Sequence, residues 1–411
     1  MTDEELKGVL KCSRELEALL GEWVKKHPRG MREVRVPQLS LTLAAAAPFL
    51  GASELLPGAC LSMWFFAVDD LLDEAPLDKD TRRRVARVLG EQCPSLIREP
   101  RSDSRRQFKK RLESLLAALS DIRRRFKKRF KKLLKSLFVA LSDIRRQFEQ
   151  LLEKVPKDSI PRERLAEALK WSLSGKSHEG ETLPEGDFNF PKALRESLAR
   201  SLELSLRGMR FELIERNAEQ PLPAFRDYLE EAHHSVGVLP VYVCMLAAMK
   251  TTMPSDLPLL LSQGQWAALK IRLANDLRSY QRELLEGKLN SIGILKQDII
   301  NETKAPEAKA LEEALLTAKA CLALGLPPQA SEGIPQQAHD RAKRLLAQLP
   351  RDSEVRLMAP AAAPQPPGAQ SSARYAKNLT AFVCDFYAHY DYHDSLKATG
   401  WDDIDARTTR S

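Results

Sequence analysis

The chain has 411 residues, of which 43% are apolar, and a formal net charge of +8. Leu, Ala, Glu, Lys and Arg predominate and Gly is sparse, which favours helices and provides for a large core. No apolar run approaches the roughly 20 residues that cross a bilayer, and the six cysteines form no CxxC pair, which excludes the usual zinc spacings. The N-terminal segment lacks the apolar core of a signal peptide, so we expect a cytoplasmic protein with reduced cysteines.

Helical periodicity runs through almost the whole chain, and the alternating pattern of strands is almost absent. Clusters of Pro and Gly separate the periodic segments. The pattern predicts an all-α fold with helices at about 3–26, 38–51, 53–74, 80–91, 105–153, 161–174, 192–216, 224–235, 237–250, 258–286, 305–324, 335–349 and 373–393.

The helix predicted at 53–74 changes character in its last turns. The apolar run CLSMWFFAV is followed by three aspartates and a glutamate in DDLLDEAP. Asp69 and Asp73 are four residues apart and share one face, near a helix C-terminus whose partial negative charge disfavours carboxylates. A divalent cation would relieve this effect and their mutual repulsion, although the same letters also suit an ordinary solvated helix end.

Residues 101–135 are strongly basic. They hold 15 Lys and Arg against three acids, a net charge of +12, so the rest of the chain carries −4. The hexapeptide LSDIRR occurs at Leu119–Arg124 and again at Leu141–Arg146, and 22 residues are close to six helical turns. We interpret this as a local duplication that lengthens a helical hairpin. The hairpin is either solvated and without a partner or binds nucleic acid or anionic lipid.

A polar stripe runs along the helix predicted at 258–286. Asn275, Ser279 and Glu283 follow one another at intervals of four residues, so an amide, a hydroxyl and a carboxylate oxygen lie on one face. The stripe contains no His or Cys, which argues against zinc and for magnesium. Magnesium usually keeps waters or takes phosphate oxygens, and the stripe therefore predicts a phosphorylated substrate.

Residues 359–372 read APAAAPQPPGAQSS. This low-complexity composition predicts a flexible loop rich in Pro and Ala. The helix predicted after it is too apolar to stand alone, so the loop is not expected to be a domain boundary.

The two oxygen-rich stretches together resemble class I terpene synthases of the bacterial and fungal type. Asp69 to Asp73 match the aspartate-rich motif DDxxD, and Asn275 to Glu283 match NDxxSxxxE at every fixed position. The motifs lie about 200 residues apart, in the order of the family, and the resemblance covers roughly 15–100 and 137–395. It implies one terpene synthase domain over 1–411, built as a helical bundle around a central cavity, with 101–135 as a basic helical insertion.

The resemblance also implies a magnesium-dependent reaction on a prenyl diphosphate. Neutralising the diphosphate turns it into a good leaving group, and an allylic carbocation forms. The residues that the resemblance assigns to magnesium, with three ions in all, are Asp69, Asp70, Asp73, Asn275, Ser279 and Glu283, and all but Asp70 are also assigned to catalysis. The cation needs a dry cavity lined by aromatic rings, for which the candidates are Trp64, Phe65, Phe66, Phe386, Tyr387 and Tyr390.

The diphosphate-binding residues depart from the family pattern. Arg282 matches the basic residue that contacts diphosphate in many relatives. Relatives also carry an arginine four residues before a helix-breaking glycine; here Gly237 fits the break and His233 stands at the arginine position, with only partial charge at neutral pH. For the tyrosine of a C-terminal Arg–Tyr pair that binds diphosphate, we prefer Tyr390 over Tyr375.

The predicted reaction is the ionisation of farnesyl diphosphate and its cyclisation to a sesquiterpene or sesquiterpene alcohol, because bulky side chains at 64–66 shorten the space beside the metal site. Geranyl and geranylgeranyl diphosphate are the alternative substrates. A prenyl-elongating enzyme would need a second aspartate-rich motif and a protonation-initiated cyclase a DxDD motif, and neither occurs. An interpretation of another class is a non-catalytic protein that binds anionic surfaces through the basic hairpin. We expect a monomer or homodimer, no specific nucleic acid partner, and at most weak contact of 101–135 with an anionic membrane.

Overall fold

The computed structural model describes residues 2–28, 31–74, 79–98, 124–155, 159–160, 188–213, 222–249, 257–324, 331–347 and 367–389. Most of these residues are helical, so the predicted all-α class is confirmed. Two strands of two residues each, β1 (Ser159–Ile160) and β2 (Phe188–Asn189), form a small antiparallel pair in which Ser159 lies opposite Asn189.

Within the described ranges, thirteen α-helices and a short 3-10 turn (Glu33–Arg35) make up the chain. The helices, in chain order, are α1 (Asp3–Lys26), α2 (Val36–Ala46), α3 (Ala52–Glu74), α4 (Lys79–Arg98), α5 (Arg124–Leu152), α6 (Phe190–Glu212), α7 (Phe225–Ser235), α8 (Val238–Ala248), α9 (Leu257–Leu285), α10 (Ser291–Thr303), α11 (Glu307–Ala323), α12 (Gln336–Ala347) and α13 (Pro367–His389).

The buried apolar side chains form two clusters, and α9 belongs to both. The first cluster lies mainly among α1–α6, α8 and α13, and the second among α7 and α9–α12. Ile271 and Ala274 of α9 pack in the first cluster, whereas Trp266 and Leu273 pack in the second. A helix that is buried on several faces is apolar nearly all round, and α9 is therefore the central element of the fold.

Helix α3 is a second central helix, and its apolar side chains are largely buried. Trp64 is fully buried, and its indole Nε1 donates a hydrogen bond to the carbonyl oxygen of Leu137 on α5 at 3.0 Å. By length and composition, Ala52–Leu72 is the one span in the described part of the chain that could cross a membrane, and 78% of its apolar window is buried inside the protein.

The second copy of the LSDIRR repeat packs into the core. Leu141 and Ile144 of α5 are fully buried, Asp143 accepts a hydrogen bond from the indole of Trp23 at 2.8 Å, and Arg145 donates one to the Leu96 carbonyl at 2.7 Å. The first copy lies outside the described residues up to its last arginine. The segment predicted to be peripheral also reaches the core at its end, since Leu134 is fully buried.

The loop predicted at 359–372 is shorter than expected at its C-terminal end. Residues 359–366 lie outside the described ranges, but α13 begins at Pro367. Proline suits the first position of a helix, where its missing N–H would have had no intrahelical partner. Ser372, inside the predicted loop, is buried, and its hydroxyl donates to Oε1 of Gln263 on α9 at 3.0 Å.

A buried lysine fastens α9 to the end of α11. The ammonium of Lys270 is fully buried and donates hydrogen bonds to the carbonyl oxygens of Cys321, of Leu322 at 3.0 Å and of Leu324 at 2.5 Å. These are the last carbonyls of α11, which lack intrahelical partners. Lys270 therefore caps one helix from the side of another.

Candidate active site

A cavity of about 310 Å³ opens between α2, α3, α6, α9, α13 and the junction of α7 with α8. One part of its wall is polar and contains Asp69, Asn275, Arg282, Glu283 and Lys288. The other part is apolar and is formed by Leu39, Leu43, Phe65, Phe66, Met209, Val241, Ile271, Leu379, Val383 and Tyr387. A cavity of this composition suits a molecule with a charged head and a hydrocarbon tail.

Helix α3 brings one aspartate of the first motif to the cavity. Asp69 is half-buried and lines the wall. Asp70 lies about 100° further round the helix, where its two carboxylate oxygens accept hydrogen bonds from Nη1 and Nη2 of Arg35 at 2.9 Å each. The Nε of Arg32 also lies 2.9 Å from Asp70. The two arginines engage both oxygens of Asp70, so its predicted role as a metal ligand is not supported by this arrangement. The Asp73 side chain lies outside what the structure describes.

Helix α9 brings two residues of the second motif to the same cavity. Asn275 and Glu283 line the wall. Ser279 lies between them along the helix but is only 1% exposed, and its hydroxyl donates to the Asn275 carbonyl oxygen at 2.8 Å. Its oxygen keeps lone pairs that are able to accept a further contact. The predicted stripe is therefore present, with its middle member set back from the cavity.

The carboxylate of Glu283 is held by a residue outside the motif. Asn290, which follows α9, donates hydrogen bonds from Nδ2 to Oε2 of Glu283 at 2.8 Å and to the Asp276 carbonyl oxygen at 3.0 Å. Its Oδ1 accepts the backbone N–H of Ile292 at 2.9 Å and so caps α10. Burial raises the pKa of Glu283, and the Arg272 guanidinium opposes that rise. One asparagine thus fixes both the rotamer of a candidate ligand and the start of the next helix.

Beneath the second motif lies a buried polar network centred on Asp276. Its Oδ2 accepts hydrogen bonds from the Tyr228 hydroxyl at 2.9 Å and the Ser291 backbone N–H at 3.1 Å. Its Oδ1 lies 2.7 Å from Nη2 of Arg272. Asp276 occupies a fixed position of the predicted motif, and this geometry gives it a structural task rather than a place in the cavity wall.

The donor set fits a hard divalent cation. Asp69, Asn275 and Glu283 offer oxygen atoms to the cavity, as magnesium prefers. Among the described residues, no group of three or more His, Cys, Asp or Glu side chains could by itself hold a metal ion. An ion between α3 and α9 would therefore take further oxygens from water or a substrate, which is the usual behaviour of magnesium.

Of the three residues predicted to bind diphosphate, one lines the cavity, one does not, and one lies outside the described residues. Arg282 lines the cavity with a side chain 36% exposed, and its Nε lies 3.8 Å from Oε1 of Glu286. His233 is only 4% exposed, its Nδ1 lies 2.6 Å from the Leu229 carbonyl oxygen, and it is absent from the cavity wall. Tyr390 lies outside the described residues. The hydrogen bond of His233 along its own helix explains why its ring does not face the cavity.

The break between α7 and α8 occurs at Gly237, as the sequence predicts. Its φ of 68° belongs to the left-handed region, which favours glycine. A β-carbon at this position would lie 2.8 Å from the ring of Phe65, closer than real contacts allow. The backbone of the break therefore rests directly on an aromatic ring of the cavity wall.

Four charged residues of the cavity wall are missed by the sequence reasoning, namely Glu212 from the end of α6, Arg272 from α9, and Glu286 and Lys288 beyond α9. Arg272 precedes Asn275 by three residues, about one helical turn, and so lies near the face of the stripe, which was a usable signal. Glu212 and Lys288 carry no comparable pattern, because they reach the cavity through the packing of separate elements.

Part of the chain matches a known protein family. Residues 187–322 match the family model described as terpene synthase family 2, C-terminal metal binding. The matched segment contains α6 to α10 and almost all of α11, and thus the whole second motif. No curated protein matches the chain. Among solved structures, a variant of cucumene synthase matches over 91% of this chain and 94% of its own, with 15% sequence identity and a TM-score of 0.47.

The family match includes the helix that carries the Asn275–Glu283 stripe, and Asn275 and Glu283 line the same cavity as Asp69. Residues 187–322, about a third of the chain, are therefore similar to the metal-binding part of that family.

Proposed function

We propose that the protein ionises farnesyl diphosphate with the help of magnesium and cyclises the resulting cation to a sesquiterpene or sesquiterpene alcohol, releasing diphosphate. The observation that carries the proposal is that Asp69 on α3 and both Asn275 and Glu283 on α9 line one cavity with a largely apolar wall. The oxygens suit the ions that hold a diphosphate, and the apolar wall suits the hydrocarbon chain attached to it.

Magnesium, when bound, would neutralise the diphosphate and make it a better leaving group. The residues that would hold it are Asp69, Asn275 and Glu283, with Ser279 behind them and Asp73 at the end of α3, and three ions remain our proposal. Arg282 contributes a positive charge at the same side of the cavity. Its role is to bind the diphosphate oxygens and to keep the released group in place.

The apolar wall supports the cation that remains. Phe65, Phe66 and Tyr387 line the cavity, and aromatic faces attract a cation within about 6 Å of the ring centre. The absence of competing water also matters, because water would capture the cation before cyclisation. Trp64 is not part of this wall, since its indole binds the Leu137 carbonyl on the α5 side.

Cavity size favours a fifteen-carbon chain over a twenty-carbon one. The volume of about 310 Å³ lies at the lower end of the roughly 300–1,000 Å³ typical of ligand pockets. Phe65 and Phe66 precede Asp69 by about one helical turn in α3, and their rings shorten the space near the diphosphate. Geranyl diphosphate is the next candidate, and geranylgeranyl diphosphate is the least favoured.

The test is to incubate the protein with prenyl diphosphates of ten, fifteen and twenty carbons, with magnesium and with a chelator. Products are read by gas chromatography and released diphosphate by a coupled assay. We expect magnesium-dependent turnover with the highest kcat/KM for the fifteen-carbon substrate. A higher kcat/KM for either other chain would overturn the substrate assignment and leave the class intact.

A matched pair of variants tests the metal site. Asn275→Ala and Glu283→Ala each remove a proposed ligand, and turnover should fall by about 100-fold or more, the upper part of the range for disturbed metal sites. Asn301→Ala, on the exposed side of α10, is the control and should keep full activity. Near-full activity of Asn275→Ala would show that the second motif is wrongly assigned.

The rival interpretation gives a different result in the same assay. A protein that only binds anionic surfaces through residues 101–135 would show salt-sensitive retention on anionic lipid or nucleic acid and no turnover of any prenyl diphosphate. All six cysteines are free, in keeping with the proposed cytoplasmic location. The oligomeric state, monomer or homodimer, is to be measured by light scattering in the same preparation.

A further inference from the structure

Glu212 contributes a carboxylate to a stretch of the cavity wall where its neighbours along the chain are apolar. It is the last residue of α6 and lines the cavity next to the apolar Met209 and Leu213. Its side chain keeps 25% of its surface exposed, and it forms part of the cavity wall. A carboxylate in such a place is able to touch a hydrocarbon bound within.

Two neighbours hold only one of the two oxygens of Glu212. Oε1 accepts a hydrogen bond from Nη1 of Arg272 at 2.5 Å and another from the Ser235 hydroxyl at 2.5 Å. Among the described residues, no hydrogen bond to Oε2 is found. The carboxylate is thus oriented through one oxygen, and the other remains available as an acceptor.

The level of Glu212 within the cavity distinguishes it from the proposed metal ligands. Its partner Arg272 precedes Asn275 by three residues, which is about 4.5 Å along the helix axis. It lies toward the part of α9 that contributes Ile271 to the wall. Glu212 therefore stands between the polar side, where the diphosphate would sit, and the apolar side, where the hydrocarbon would fold.

We propose that Glu212 is the general base that ends the reaction by removing a proton from the final carbocation. The inference rests on the proposed function. A C–H bond next to the cationic carbon breaks, its electron pair forms the new C=C double bond, and the proton goes to Oε2 of Glu212. The residue becomes a neutral carboxylic acid, the cation becomes a neutral hydrocarbon, and solvent takes the proton after the product leaves.

The electrostatics around Glu212 suit this task. Burial raises the pKa of Glu212 to about 7, the nearby Arg272 and the Ser235 hydroxyl hold it down, and the charges of Glu283 and Asp276 push it up. The Tyr228 hydroxyl stands behind Arg272 and Asp276 in the same network. A base with a pKa near the working pH combines a deprotonated resting state with appreciable proton affinity.

The decisive experiment is Glu212→Gln assayed with farnesyl diphosphate and magnesium, with diphosphate release and product composition measured in the same reaction. Glutamine keeps an acceptor for Arg272 and Ser235 but cannot take the proton. We expect diphosphate release to continue while the share of the principal wild-type hydrocarbon falls by about tenfold or more, given the usual contribution of general bases. Alcohols from water capture and isomers from loss of another proton should take its place, and Glu212→Asp should restore part of the original product.

A matched control comes from a second Glu–Arg pair. Glu149 on α5 accepts hydrogen bonds from Arg195 on α6 at 2.7 and 2.8 Å and does not line the cavity. Glu149→Gln removes the same charge from the same type of ion pair, and its product composition should equal that of the wild type.

Several results would overturn the inference. One is an unchanged product composition in folded Glu212→Gln; another is a loss of diphosphate release that parallels the loss of product, which would assign the residue to ionisation. If Glu212→Gln does not fold by circular dichroism, the wild type decides. Its hydrocarbon share should rise across about one pH unit on either side of 7, and a flat profile excludes the base. Failure of the wild type to release diphosphate from any substrate would instead contradict the proposed function.

Discussion

The two oxygen-rich motifs face one cavity but are held in place by different means. The first ends a helix, and its Asp70 is fixed by two arginines, Arg32 and Arg35, from the segment before α2. The second lies within a long central helix, where Asp276 and Asn290 bind it to α7 and α10 by buried hydrogen bonds. The second motif is therefore organised before any ion arrives, whereas the first depends on contacts at a helix end.

The largest effect is expected from breaking the centre of the second motif. Asp276→Ala would leave the buried Arg272 with only one of its two carboxylate partners, Glu212, and remove the acceptor of Tyr228. Loss of one partner from a buried ion pair typically lowers the free energy of unfolding by about 3 to 5 kcal/mol. Urea denaturation measures the change, with the exposed Asp340→Ala on α12 as control. A change as small as that of the control would show that the network does not stabilise the fold.

A smaller loss of stability is expected at the first motif. Asp70→Asn keeps the shape of the side chain but removes the charge that pairs with the buried Arg35, which should lower the free energy of unfolding by about 2 kcal/mol. The magnesium concentration for half-maximal turnover should stay near that of the wild type. Asp69→Asn should do the reverse, with normal stability and strongly reduced turnover. Similar effects of the two substitutions would contradict the division of roles between neighbouring aspartates.

The link between Asn290 and Glu283 is open to a finer test. Asn290→Ser keeps a cap for α10 but cannot reach Glu283. Loss of such an orienting partner usually weakens a metal site by about 10- to 100-fold, which titration of turnover with magnesium would detect. Thermal unfolding should change little. Unaltered magnesium dependence would mean that Glu283 needs no support from outside the motif.

A modest effect on stability is expected at the helix break. Gly237→Ala forces alanine into the left-handed backbone region, which should lower the free energy of unfolding by about 1 to 2 kcal/mol. Its β-carbon would also press on the ring of Phe65. Gly333→Ala is the matched control, because Gly333 has a similar φ of 75°, has nothing within 4 Å of its would-be β-carbon and does not line the cavity. Both variants should lose similar backbone stability, and only Gly237→Ala should alter the product composition. Identical products from both would show that Phe65 does not shape the cavity.

The sequence pattern located the two central helices well. The predicted helices at 53–74 and 258–286 agree with α3 and α9 to within a residue at each end. The same reasoning placed Asn275 and Glu283 on one stripe, because that depends only on helical geometry. It did not predict that Asp69 lines the cavity while Asp70 does not, because this difference results from the binding of Asp70 by arginines of another segment. It also missed Glu212, whose position in the wall results from the packing of α6 against α7 and α9.

The hydrogen bonds of Lys270 make the rotation of α9 about its axis depend on the position at which α11 ends. Its ammonium requires three carbonyls that only the last turn of α11 presents, and Asn275 follows it by five residues, or about 7.5 Å along α9. Adding or deleting a residue in α11 would turn those carbonyls away by about 100° and leave a buried charge unsolvated unless α9 rotated to follow. Insertions in α11, remote from the cavity, should therefore be tolerated poorly.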